Sequence, residues 1–344
     1  MNKKVKFVDF AKQYKKYQDE IDAAFVSCLR RGALILQEDV EKFEQELASY
    51  VGTKYAVGLN SGTDALYLAL WAHGIGQGDE VLVPSHTFVA TAQVVHQLGA
   101  IPVLYDMNGE IVVGANTKAF IPAHIAGEFT VNEMDRVMAE AKRRGVVVIE
   151  DACQALGAVQ SGKKAGSWGN AGAFSFYPAK ILGRYGDGGA LVTDDEEIYK
   201  KVKSLRNHCK DNPDEWGINS RLDNIQAAVL RVKLAHLPEM LSRRAHIAEI
   251  YLRELNGVVG LPKNVDGRVW QDFIIQTDKR DELYEFLKEQ GVETMKNEYP
   301  MPIGKLPLAA KHEAEGLRIP CNDVLEDEEA MFVVEKIKEF YDKR

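Results

Sequence analysis

Apolar residues recur along this chain in two rhythms. Ile21, Phe25 and Cys28 fall at the i, i+4, i+7 spacing of one helical face within residues 14–28, and Val40, Phe43, Leu47 and Tyr50 repeat the pattern. Two amphipathic helices are therefore predicted first. Short apolar runs then alternate with longer helical stretches: Tyr55–Leu59 before 63–73, Glu80–Pro84 before 88–98, then Ile101–Tyr105, Ala119–Pro122, and 132–144 before Val146–Ile149. Strand–helix–strand repetition calls for a parallel sheet covered on both faces, because each crossover lays a helix across one side. Further strands are predicted at Ala173–Phe176 and Gly189–Thr193, with a helix over 195–206.

From Leu222 to about Leu255 the apolar positions keep helical spacing with a single proline, which predicts one long helical connector. Beyond it, a strand at Phe273–Gln276, helices over 279–290 and 327–341, and the proline-containing segment Tyr299–Pro307 form a shorter block. The expected division is a large unit, residues 1–240, and a smaller α/β unit, residues 241–344, with about the first 20 residues packed on the smaller one. A length of 344 residues suits two domains of roughly 100–200 residues each.

Composition narrows the class. Hydrophobic residues are 46% and charged residues 27%, which excludes disordered and collagen-like chains. The formal charge of -8 repels a phosphate backbone, so nucleic acid is not an expected partner. No apolar run approaches the roughly 18–20 residues that cross a bilayer, and Met1 to Gln13 lacks a signal-peptide core, so no membrane association and a cytoplasmic location are expected. Cys28, Cys153, Cys209 and Cys321 stand singly, which suits a reducing compartment. Neither they nor His73, His86 and His96 show metal-ligand spacing, and no metal is expected.

Three places hold candidate chemistry. Asn60-Ser61-Gly62-Thr63-Asp64 follows a strand and opens a helix; free N–H groups and a glycine there suit a phosphate, although plain N-capping accounts for the same residues. Glu150-Asp151-Ala152-Cys153-Gln154 directly follows the apolar run 146–149, which puts Asp151 where ligands of open α/β sheets bind, although aspartate there also starts helices. Lys180 lies past a strand end before the glycine-rich run 183–190 and is a candidate Schiff-base lysine, although most lysines simply face water. Together they are the parts that pyridoxal 5'-phosphate requires: donors for its phosphate, an anion for its ring nitrogen, and an amine for its aldehyde.

The runs Val57–Leu70, Ile121–Gly127, Ile149–Ala158 and Asn219–Leu230 resemble the DegT/DnrJ/StrS-type pyridoxal-phosphate enzymes, and above all Ser175-Phe176-Tyr177-Pro178-Ala179-Lys180 through Gly186-Asp187-Gly188-Gly189-Ala190 does so. The likeness runs over residues 5–240 and weakens afterwards. It implies fold type I: a large domain with a mostly parallel seven-stranded sheet flanked by helices, plus a smaller C-terminal α/β domain. It also implies an aminotransferase that moves an amino group from L-glutamate to a nucleotide-linked keto-sugar, favouring the 3-keto over the 4-keto position, for amino-sugar biosynthesis. The implied catalytic residues are Lys180 and Asp151. Gly62 and Thr63 would give backbone N–H groups to the phosphate and Ser175 a hydroxyl. Phe88 would stack on the ring, Gln154 would lie near the phenolic oxygen, and Asn219 would reach the phosphate of a neighbouring subunit in a homodimer.

This chain departs from that family's pattern on the substrate side. The segment Met107–Asn116 and the loop after His208 are short. Glu298 stands before Tyr299-Pro300 where a histidine is common, residue 126 is Ala in place of an aromatic, and residue 128 is Glu in place of Gln. Two other readings therefore stay open: a non-catalytic sensor that holds the cofactor, and a sugar dehydratase on the same scaffold. Relatives that dehydrate tend to replace the lysine, so Lys180 argues against the second.

Overall fold

The computed structural model describes residues 4–107, 113–131 and 134–343. In chain order, helices α1 (Phe10–Lys16), α2 (Gln18–Arg31) and α3 (Glu38–Val51) precede β1 (Tyr55–Leu59), α4 (Gly62–Ala72), β2 (Glu80–Pro84), α5 (Ala90–Gln97), β3 (Ile101–Tyr105) and β4 (Thr117–Phe120). Then come α6 (Met134–Arg144), β5 (Val147–Asp151), β6 (Val159–Gln160), β7 (Lys163–Lys164), β8 (Ala171–Ser175), β9 (Gly189–Thr193), α7 (Glu196–Leu205), α8 (Asn224–Ala235) and α9 (Leu237–Glu254). The chain ends with β10 (Phe273–Gln276), α10 (Arg280–Glu289), β11 (Met295–Lys296), α11 (Pro307–Glu315), β12 (Gly316–Ile319) and α12 (Asp327–Asp342).

Seven strands form the main sheet in the order β1-β9-β8-β5-β4-β2-β3, and only β9 runs antiparallel to its neighbours. Alternation along each strand feeds two cores. Val57, Leu59, Ala173 and Leu191 face the cluster built with Leu66, Leu70, Val94 and Val202, whereas Ala56, Phe174 and Val192 face Phe43, Leu47, Leu222 and Leu230. Helices α4, α5 and α7 thus cover one face and α3 and α8 the other. Burying each such side chain contributes about 1.5–3 kcal/mol.

A second sheet, β10-β12-β11, is packed by α9, α10 and α12 around Tyr251, Phe273, Leu283, Leu317 and Val333. Val5 belongs to this core: its N–H donates to the Gly291 carbonyl at 2.9 Å and its carbonyl accepts from Glu293 N–H at 2.9 Å. The following residues continue the contact through Lys12, which pairs with Glu326 and Glu329, each at 3.1 Å.

Where element boundaries differ from expectation, local chemistry explains it. The predicted single connector is two helices, because Pro238 sits in the first turn of α9, where its missing N–H costs nothing, and α8 closes at His236. The first predicted helix is likewise two, divided at Tyr17. Strand β5 runs two residues further than expected, to Asp151, while β4 ends at Phe120, two residues before the expected Pro122. The predicted helix over 132–144 is described from Met134; residues 132–133, like 108–112 in the short segment after Asp106, lie outside the described residues.

Candidate active site

The site lies at the carboxyl ends of the sheet strands. After β1 the chain turns into α4 with Ser61 as N-cap, its Oγ accepting from Asp64 N–H at 3.0 Å. Asp64 is held from outside the helix, since Ser220 Oγ donates to its Oδ2 at 2.6 Å and accepts from Asn60 N–H at 3.2 Å. The N–H groups of Gly62 and Thr63 lie in the first turn of the helix, which has no preceding turn of carbonyls to receive them, at the positive end of its dipole. A Cβ at Gly62 would lie 2.6 Å from Cys153 Sγ and 2.9 Å from Ser175 Cβ, and one at Gly189 would lie 2.2 Å from the Ser61 carbonyl carbon. Three backbone segments therefore close into a cup that admits no side chain at either glycine. The Ser175 hydroxyl borders it and accepts from Tyr177 N–H at 3.3 Å.

Strand alternation separates two adjacent carboxylates. Glu150 is fully buried; it accepts from the N–H groups of Gly166, Trp168 and Gly169 and contacts His124 Nε2 at 3.0 Å. It ties a loop down, and His124 packs with it. Asp151 points to the other side, is 7% exposed, and accepts from Thr91 Oγ1 at 2.8 Å and Cys153 N–H at 3.2 Å. Thr91 Oγ1 lies 2.8 Å from Thr87 Oγ1, so the start of α5 braces this carboxylate. No cation pairs with Asp151 among the described residues, which leaves a buried anion suited to a protonated ring nitrogen.

Lys180 follows β8 in a turn closed by its N–H on the Tyr177 carbonyl at 2.8 Å. It is partly buried, and its Nζ makes no hydrogen bond or ion pair among the described residues. Burial, reinforced by Asp151, pushes the Cys153 thiol well above its ordinary range, while Lys180 pulls it down. The charges of Lys180 and Asp151 thus meet at Cys153, the same side chain that lines the cup. Lysine, aspartate and cup thus share Cys153 as a neighbour, and this donor set fits pyridoxal phosphate at each of its three ends.

The remaining expected residues stand as follows. Phe88, two residues before α5, is 56% exposed and no part of the core. Gln154 is buried: its Oε1 accepts from Ala126 N–H at 2.9 Å and its Nε2 donates to the Tyr299 hydroxyl at 3.2 Å. Ala126 takes a left-handed φ of 55° to present that N–H. Asn219 is exposed, bonded through Oδ1 to Arg221 Nε at 2.9 Å, and is not brought to the cup of its own chain. Glu128 pairs with Arg268 at 2.7 Å, whose guanidinium lies 4.2 Å from the Trp270 ring centre, and Glu298 pairs with Arg280 at 2.8 Å. The structure shows no group of three or more potential metal ligands among the described residues.

Three residues that the structure brings to the site were not among those expected from the sequence. Thr91, Gln271 and Tyr299 are common polar types, and each reaches its partner across 60 or more positions. Only Thr91 had a cue, its place four residues after Thr87 on one helical face.

A buried strand-end aspartate, an unpaired lysine and a phosphate-ready helix start, on a seven-stranded sheet with a smaller C-terminal sheet, define a pyridoxal-phosphate-dependent aminotransferase. The chain belongs to the DegT/DnrJ/EryC1/StrS aminotransferase family, whose model matches residues 15–338. It is 40% identical to the "Pleiotropic regulatory protein" of Geobacillus stearothermophilus, covering 98% of each chain. It is 38% identical to the dTDP-3-amino-3,4,6-trideoxy-alpha-D-glucose transaminase of Streptomyces venezuelae, over 99% of this chain and 97% of that one. The crystal structure of S. venezuelae DesV in complex with ketimine intermediate superposes with a TM-score of 0.91 at 38% identity, covering 98% of each chain.

Proposed function

We propose that this aminotransferase carries an amino group from L-glutamate to a nucleotide-linked keto-sugar at its 3-keto position, for amino-sugar biosynthesis. The observation that carries the reading is that the Lys180 amine and the buried Asp151 carboxylate, neither with a charged partner among the described residues, both act on Cys153 at the cup. The 3-amino sugar in the name of the Streptomyces venezuelae relative supports the choice of carbon.

Pyridoxal phosphate, when bound, supplies an aldehyde for condensation with amines and a ring that takes up electrons from the amino-donor carbon. The residues divide the remaining work. Gly62 and Thr63 N–H groups and the Ser175 hydroxyl bind the phosphate. Asp151 keeps a proton on the ring nitrogen, and Thr91 orients its carboxylate. Phe88 lays an aromatic face on the ring. Gln154 must present Nε2, since the Ala126 N–H engages its oxygen, so it offers the phenolic oxygen a donor. Lys180 Nζ would hold the aldehyde and, when free, would serve as the base that moves the proton.

Asn219 of a second subunit completes the phosphate site in a homodimer. Exposed apolar side chains at Phe25, Leu29, Leu34 and Ile35 support such an assembly. The cytoplasmic reading rests on four unpaired cysteines, and no helix among the described residues is long and apolar enough to cross a membrane.

The test is to load the protein with pyridoxamine phosphate, incubate it with nucleotide-linked 3-keto and 4-keto sugars, and follow the products by mass spectrometry. A 3-amino sugar is the expected product. The regulatory name of the Geobacillus stearothermophilus relative keeps the sensor reading in view. Glutamate leaving the absorbance of the loaded protein unchanged would decide for the sensor.

A further inference from the structure

The peptide units on either side of Lys180 are held by one side chain from the other end of the chain. Gln271 Oε1 accepts from Ile181 N–H at 2.9 Å, and its Nε2 donates to the Ala179 carbonyl at 3.1 Å. An N–H on one side and a carbonyl on the other leave only one orientation for the amide. Gln271 is 7% exposed and sits in the segment leading into β10. Its own backbone is pinned in turn: Arg244 on α9, 2% exposed, donates through one nitrogen to the carbonyls of Trp270 at 3.1 Å, Gln271 at 3.2 Å and Cys321 at 2.7 Å.

We propose that Gln271 is a positioning residue of the transamination: its amide clamps the backbone on both sides of Lys180 and so fixes where the amine stands. The proposal rests on Lys180 being the cofactor-bearing lysine.

The physical need is specific to a lysine in this role. Four rotatable bonds separate Nζ from the backbone, so any spread in the backbone at 180 is passed to the amine. The segment's own backbone hydrogen bonds run from Lys180 N–H to Tyr177 and from Arg184 N–H to Phe176, and neither engages the Ala179 carbonyl or the Ile181 N–H. Without the clamp the turn keeps its hydrophobic anchors, Ile181 and Leu182, but the two peptide planes beside Lys180 lose their outside partners. A displacement of about 1 Å at a reacting group costs on the order of a hundredfold in rate. Gly62 and Thr63 of the phosphate cup lie on another segment, and Gln271 makes no hydrogen bond to them or to Ser175 among the described residues.

That independence separates positioning from a merely structural contact. In Gln271→Met, which keeps the volume and removes both hydrogen bonds, the Ile181 amide should exchange with deuterium at least tenfold faster than in the wild type. Borohydride trapping of pyridoxal phosphate on Lys180 should slow at least tenfold. The glutamate half-reaction should lose kcat by a similar factor, with KM changed less than threefold. Pyridoxal-phosphate affinity measured by fluorescence in a Lys180→Ala background should stay within twofold when the Met substitution is added.

Gln271→Glu, which keeps the acceptor for Ile181 and loses the donor to Ala179, should fall between wild type and Gln271→Met, and it decides the matter if the Met variant does not fold. Trapping rate and kcat within twofold of the wild type in a folded variant would overturn the proposal, as would a loss of cofactor affinity in the Lys180→Ala background. If the wild type itself does not transaminate, the functional reading fails there, and the exchange and trapping experiments still report on the clamp.

Discussion

At the scale of single residues, the cup is the most demanding part of the site. Alanine is the better helix former by up to ~1 kcal/mol, so Gly62→Ala should not weaken α4 itself. Its Cβ nevertheless enters space held by Cys153 Sγ at 2.6 Å and Ser175 Cβ at 2.9 Å. Gly62→Ala should therefore weaken pyridoxal-phosphate binding at least about tenfold, equivalent to about 1.4 kcal/mol, in a fluorescence titration. Adding Cys153→Ala, which removes the nearest atom, should recover part of the loss. Lys180, Asp151, Gly62 and Ser175 could be picked out in the sequence because each stands at or just past the end of a strand and the lysine motif is contiguous. Thr91 and Gln271 were not, because a side chain that braces another from a distant segment leaves no local pattern.

At the scale of elements, α11 joins the C-terminal block to the sheet. Asp106, at the end of β3, caps its first turn by accepting from Leu308 and Ala309 N–H at 2.8 and 2.9 Å. Glu313 binds His86 Nδ1 at 2.9 Å, Lys305 at 2.5 Å and Tyr299 N–H at 3.1 Å. Burial, with the neighbouring His86, pulls His312 down to about 4, and burial lowers His86 against the pull of Glu313. Unfolded histidines titrate near 6.5. Between pH 6.5 and 4 the unfolded chain therefore binds protons that the folded chain does not, so stability falls as the pH falls. Burial would raise Glu313, but hydrogen bonds from His86, Lys305 and Tyr299 outweigh it and leave it lowered, which adds to the loss below about pH 4.5. Urea midpoints should drop from pH 7 to pH 4.5, and His312→Asn should flatten that slope.

Helix α11 and strands β6, β7, β11 and β12 were also elements that periodicity missed. Residues 299–307 hold Pro300, Pro302 and Pro307, so the segment reads as a loop, yet Pro307 stands in the first turn of α11, where proline is tolerated. The two-residue β11 and four-residue β12 are too short for an alternation signal. By contrast β1, β2, β3, β9 and β10 match their predicted limits, because buried strands write nearly continuous apolar runs.

At the scale of the whole molecule, we propose that residues 1–240 and 241–344 act as two units with the cofactor cavity between the large sheet and contacts from the smaller block. Gln271 carries those contacts to Ala179 and Ile181, on either side of Lys180, and Tyr299 to Gln154. The homodimer reading has its own test. Mixing Lys180→Ala and Asn219→Ala subunits gives mixed dimers in which one site has both residues intact, so random exchange should restore about a quarter of wild-type activity. A mixture no more active than its parents would place Asn219 outside the partner's site.

The central claim is that the amine of Lys180 and the carboxylate of Asp151 serve one cofactor. Reducing the loaded protein with borohydride and mapping the peptides by mass spectrometry tests it most directly, in the wild type and in Asp151→Asn. The account predicts the pyridoxyl group on Lys180 in both, with glutamate turnover largely lost only in the variant. Label on any other lysine, or near-normal turnover in Asp151→Asn, would contradict it.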